Sequence, residues 1–109
     1  MHELSIARSV VSTVCERAGD RRVHSVSLII GALCAVVPES LRFCFDVVTA
    51  DTVAEGARLD IETPPGVGHC RDCGADVALP DPILVCACGS TDIEVRSGRE
   101  LQIVSMEVS

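Results

Sequence analysis

The sequence predicts an α+β fold: two helices packed on a small three-stranded mixed sheet, with an inserted zinc-ribbon subdomain. Three observations lead there. Apolar residues recur at helical spacing in two separate stretches. Three other stretches are rich in β-branched or alternating residues. Four of the seven cysteines fall within nineteen positions of a segment bounded by prolines and glycines.

The first helix spans Leu4 to Ala18, where Leu4, Ala7, Val10, Val11, Val14 and Ala18 form one stripe. Arg8, Ser12, Glu16 and Arg17 occupy the other side, and Gly19-Asp20 is a fitting stop. "VHSVSLIIG" then reads as a strand ending at Gly31, with Val26, Leu28 and Ile30 on one face. "VPES" is a helix entrance with proline in the first turn, and Leu41, Cys44, Phe45 and Val48 carry the stripe onward. In "ARLDIE", Leu59 and Ile61 alternate as a second strand. After "TPPGVG" regular structure breaks, and it resumes with the strand-like "LQIVSMEV", whose alternation changes phase near Val104. The expected domains are 1–63 plus 97–109, an α/β domain, and 64–96, the ribbon insert.

Composition excludes several function classes. A formal net charge of −7 repels phosphate backbones and anionic lipid. All nine basic residues are arginines, scattered except for Arg21-Arg22, and the aromatics are Phe43 and Phe45 alone, so base stacking has little to work with. The longest apolar run, Leu28 to Val37, is about ten residues, too short for a bilayer. With no basic-then-apolar leader and an odd number of cysteines, the expected setting is the reducing cytoplasm, with metal in place of disulfides.

The ribbon segment supplies Cys70 and Cys73 from "HCRDCG" and Cys86 and Cys88 from "VCACGS", twelve residues apart. Zn²⁺ takes about four soft donors in a tetrahedron, and two tight turns bring such pairs together. Gly74 and Gly89 suit the positive-φ geometry of those turns. The segment has few large apolar residues, so metal is expected to hold it folded. The second pair is Cys-x-Cys, one residue shorter than usual, which leaves open a site in which His69 replaces one sulfur; an Fe–S centre is a more remote option. A four-cysteine site is closed, so its zinc would be structural. Cys15, Cys34 and Cys44 read as small buried hydrophobes.

At the start, "MHELS" places His2 and Glu3 beside the terminal amine of Met1. Amine, amide nitrogen and imidazole can close fused rings on one ion, a donor set suited to planar Ni²⁺ or Cu²⁺. The plainer reading is a solvated end, with Glu3 favouring the positive end of the first helix.

The start "MHELSIA", followed by "IGALCAVVPESLRFCFDVVT", "EGARLDIE", "CRDCG", "CGS" and "SGRELQIVSMEV", resembles the HypA/HybF family across essentially the whole chain. These are nickel-delivery proteins of [NiFe]-hydrogenase maturation. The resemblance implies a nickel metallochaperone, not an enzyme, with a nickel domain and a zinc domain inserted before the last strand. It maps transported Ni(II) onto His2, with the Met1 amine and Glu3 close by, and structural Zn(II) onto Cys70, Cys73, Cys86 and Cys88. It implies the partner GTPase HypB, a hydrogenase large-subunit precursor and, in part of the family, urease accessory proteins. Neither nucleic acid nor membrane is expected as a partner. The second knuckle departs from the family's usual two-residue gap, which bears on Cys86.

Two other functions would each use part of the same sequence. A zinc-ribbon module binding protein or nucleic acid would have only Arg71, Arg96 and Arg99 against several acids. A metal enzyme at His2 would lack a second histidine cluster, since His24 lies in a strand and His69 abuts a cysteine.

Overall fold

The computed structural model describes residues 2–109, and the chain divides into two compact units. One unit comprises Met1–Leu28, Val36–Ile61 and Gln102–Ser109; the other comprises Ile29–Ala35 and Glu62–Leu101.

In the first unit, helix α1 (Glu3–Ala18) buries Ala7, Val10, Val11, Val14 and Ala18, five of the six stripe positions. It stops at Gly19, whose φ of 65° places it in the left-handed region while its N–H bonds Cys15 O at 3.0 Å. Strand β1 (Val23–Ile30), whose last two residues group with the second unit, buries Val26, Leu28 and Ile30. Helix α2 (Pro38–Thr49) starts with its proline in the first turn, where no N–H is needed. It buries Leu41, Phe45 and Thr49, and Cys44 and Val48 lie half-buried beside them. Thr49 is a polar residue inside the core; its hydroxyl returns a hydrogen bond to Phe45 O at 2.8 Å.

Strand β2 (Arg58–Glu62) and strand β6 (Leu101–Val108) flank β1, giving the order β2-β1-β6 in a mixed sheet. Opposite ends of β1 and β6 are tied, Ser109 N–H to Arg22 O at 2.9 Å and Gly31 N–H to Glu100 O at 2.8 Å, so these two strands run antiparallel. Ser25, buried on β1, donates to Glu107 Oε1 at 2.6 Å. Among the described residues no buried side-chain nitrogen or oxygen lacks a hydrogen-bond partner. Phe45, Leu28, Ile30, Leu41 and Val14 are each almost wholly removed from water. Each such side chain contributes roughly 1.5–3 kcal/mol of transfer free energy.

The second unit is a three-stranded antiparallel sheet of order β4-β3-β5: β3 (Gly66–Cys70), β4 (Asp76–Leu79) and β5 (Ile93–Ser97). Its core is small: Cys70, Leu79, Cys86 and Ile93, with Leu33, Val77, Leu84 and Val95 packed against them. Among the described residues no helix is long and apolar enough to cross a membrane.

Candidate metal centre

Cys70 is the last residue of β3, and the chain turns immediately after it. Cys70 N–H bonds Ala75 O and Gly74 N–H bonds Cys70 O, both at 2.9 Å, closing the first knuckle. The second knuckle is closed the same way, Cys86 N–H to Ser90 O and Gly89 N–H to Cys86 O, again at 2.9 Å. Gly74 and Gly89 have φ of 78° and 93°, with open space where a Cβ would stand, so it is backbone conformation that calls for glycine at both. The knuckles are stitched together: the Ser90 hydroxyl donates to the Asp72 carboxylate, Arg71 N–H bonds Asp92 O at 3.0 Å, and Arg71 Nη1 meets Asp92 Oδ1 at 2.8 Å.

This folding brings the sulfurs of Cys70, Cys73, Cys86 and Cys88 within 4.8 Å of one another. The short contacts cross between knuckles, Cys70 to Cys88 at 3.7 Å and Cys73 to Cys86 at 3.6 Å. A zinc tetrahedron with Zn–S bonds of ~2.3 Å has S–S edges of about 3.8 Å, so the donor set fits that ion. The short Cys-x-Cys gap does not keep Cys86 or Cys88 out of the cluster.

The four thiols are electrostatically unequal. The Cys73 N–H, aimed at the Cys70 sulfur, lowers that thiol to about 6. Cys88 receives the Ser90 N–H, yet the crowding of Cys86, Cys70 and Cys73 outweighs it and pushes the thiol up to about 12. Cys73 is likewise raised by Cys70 and Cys86 against the pull of the Ala75 N–H. One thiolate forms readily and its neighbours resist further charge, so four thiolates in so small a volume require a cation among them.

His69 stays outside. Its Nδ1 lies 3.0 Å from Asp76 Oδ1, and it pulls the Asp76 carboxyl below its ordinary value. Among the described residues, the four cysteines are the one group of three or more candidate ligands within reach of a common ion. Cys15, Cys34 and Cys44, expected as buried hydrophobes, are free thiols only half removed from solvent; the Cys34 thiol faces Glu100 O at 3.7 Å.

At the other candidate centre, His2 is exposed immediately before α1, and its carbonyl accepts the Ile6 N–H at 3.0 Å. Glu3 opens the helix, and its Oε2 accepts the N–H of Val37, the residue capping α2, at 3.3 Å. That N–H holds the Glu3 carboxyl below its ordinary 4.5, and the backbone N–H of Glu3 itself acts in the same direction. Because the folded value is the depressed one, Glu3 stabilises this arrangement above pH 4.5, and the contribution fades as pH falls through the folded value. The Met1 amine lies outside the described residues. His24 is not near a metal group; its Nε2 lies 2.5 Å from Ser109 Oγ on an exposed part of β1.

Residues 1–108 match the family model described as "Hydrogenase/urease nickel incorporation, metallochaperone, hypA". A hydrogenase maturation factor HypA of Nostoc punctiforme is 44% identical over 108 residues, covering 99% of this chain and 96% of that one. Its counterpart in Geotalea uraniireducens is 48% identical over 109 residues, covering 99% of each chain. Among solved structures, the solution structure of a HypA protein aligns with a TM-score of 0.68 at 25% identity, covering 100% of this chain and 97% of that one. The solution structure of the Ni metallochaperone HypA from Helicobacter pylori aligns with a TM-score of 0.65 at 23% identity over 99% and 97%, a likeness of fold.

Proposed function

This chain belongs to the HypA family of hydrogenase/urease nickel-incorporation metallochaperones, and from that premise we propose that it carries Ni²⁺ at its N-terminus and passes it on for [NiFe]-hydrogenase maturation. The observation that carries the reading is His2, exposed and directly ahead of α1, in a chain matched to the family from residue 1 to 108. The proposed donors are the His2 imidazole and amide nitrogen and the Met1 amine, with Glu3 beside them. Adjacent donors need no tertiary fold to bring them together, and amide coordination releases one proton to solvent. A site with few ligands and open positions exchanges its ion faster than a closed cage, which suits cargo that must be handed over.

The four cysteines take the opposite part. Bound there, zinc would supply a closed cross-link between the two knuckles, and a site with no open position offers no place for substrate. Cys70, Cys73, Cys86 and Cys88 are its proposed ligands. Proposed partners are the maturation GTPase HypB and a hydrogenase large-subunit precursor, with urease accessory proteins where urease is served; the proposed compartment is the cytoplasm. A nucleic-acid-binding ribbon is the weaker reading, because Arg71 and Arg96 are engaged by Asp92, Glu94 and Asp76 on the ribbon itself.

Calorimetric titration of Ni²⁺ into zinc-loaded protein tests the site. His2→Ala, and a form with two residues added before Met1, are each expected to weaken binding at least tenfold. Unchanged affinity in His2→Ala would remove the N-terminal site.

A further inference from the structure

The ribbon is completed by residues far from it in sequence. Ile29–Ala35 clusters with Glu62–Leu101, although the chain runs on from it into α2. Three backbone bonds fasten the segment: Gly31 N–H to Glu100 O at 2.8 Å, Ala32 N–H to Pro64 O at 2.9 Å, and Leu33 N–H to Gly98 O at 2.9 Å. Between them the Leu33 side chain enters a slot made by two glycines. A Cβ on Gly66 would stand 2.9 Å from Leu33 Cδ1, and one on Gly98 would stand 2.8 Å from Leu33 Cγ. Beyond the slot Leu33 packs against the cluster of Cys70, Leu79, Cys86 and Ile93. Two of those four are metal-ligand candidates, one from each knuckle.

We propose that Leu33 is a positioning residue of the four-cysteine metal centre, a plug from the segment before α2 that sets the spacing of the two knuckles and slows metal loss. The inference rests on the zinc reading above. The ribbon's own core is too small to fix the sulfurs with precision, since half of its buried members are the cysteines being positioned. Leu33 supplies the missing apolar volume. Truncating it removes apolar contact from the cluster to which Cys70 and Cys86 belong, and knuckles held by a looser cluster release their ion more often. A side chain at position 66 or 98 would overlap the plug.

The test is zinc release from full-length protein to a chromophoric chelator, with metal content measured beforehand and the cobalt-substituted absorption spectrum recorded. Leu33→Ala is expected to release zinc at least tenfold faster, Leu33→Val by an intermediate factor, and Leu33→Met within about twofold of the parent. Ile83→Ala, at an exposed ribbon position, should release at the parent rate. The helical circular dichroism of α1 and α2 reports separately on the first unit. If Leu33→Ala loses it, the graded Leu33→Val and Leu33→Met pair decides. Release from Leu33→Ala at the parent rate, or equal release from Leu33→Val and Leu33→Met in a misfolded background, overturns the plug. A parent protein with no bound zinc and no four-thiolate cobalt spectrum overturns the zinc reading itself.

Discussion

At Gly98 the backbone adopts φ of 121°, and a Cβ there would lie 2.6 Å from Gly66 Cα as well as against Leu33. Both the conformation and the space exclude a side chain, so Gly98→Ala strains the backbone by ~1–3 kcal/mol before the overlap is counted. The unfolding free energy from a denaturant titration followed by a ribbon-specific signal should fall by at least that much, and an unchanged value would contradict the close approach. Gly74 and Gly89 differ in kind. Their positive φ was legible in the sequence because each follows a knuckle cysteine, and the turn that demands it is local. The demand on Gly31, Gly66 and Gly98 was not legible. It arises from neighbours more than thirty positions away, and glycine in a "PPG" or "SGR" string reads as an ordinary breaker. Glu3 shows the same limit, since its acceptance of the Val37 N–H depends on how α1 and α2 lie together.

At the scale of elements, α1, β1 and α2 follow their periodicities closely because each buries a single face. Phe43 and Phe45 make the point within one helix. Phe45 is 1% exposed and Phe43 is 71% exposed, two aromatics two positions apart on opposite sides. Phe45→Ala is expected to cost ~3–5 kcal/mol, and Phe43→Ala to stay within about 0.5 kcal/mol, both by chemical denaturation; comparable losses would contradict the packing. Strand β6 likewise keeps its sequence signature. Ile103 is half-buried, and the next half-buried positions are Met106 and Val108, so the inward parity changes just where the alternation changes phase. The three ribbon strands were not legible. They are four or five residues long, and β3 alternates glycines and a cysteine inward, which carries no hydrophobic signal.

For the whole molecule, the four-cysteine cluster was foreseeable from spacing, while the grouping of residues 29–35 with the ribbon was not. A reading along the chain assigns residues 29–35 to the elements that flank them, and only tertiary contact places them with the ribbon. The two units also differ in what sustains them. The first buries large side chains from α1, α2 and β1, whereas the core cluster of the ribbon has four buried apolar members, two of them cysteines. Metal removal is therefore predicted to act unevenly. With a strong chelator and reductant, amide exchange protection should be lost across β3, β4 and β5 and kept in α1 and α2. Protected amides persisting in β3 and β5 without metal would show that the ribbon folds on its apolar core alone.

The proposed role of His2, carrying nickel for a hydrogenase, is open to test through the nickel content of a hydrogenase large subunit in a host lacking its own HypA-family protein and grown at low nickel. The chain as it stands should restore nickel to the subunit, and His2→Ala should leave it nickel-poor until the medium is supplemented. Full restoration by His2→Ala at low nickel would show that His2 is not the nickel carrier.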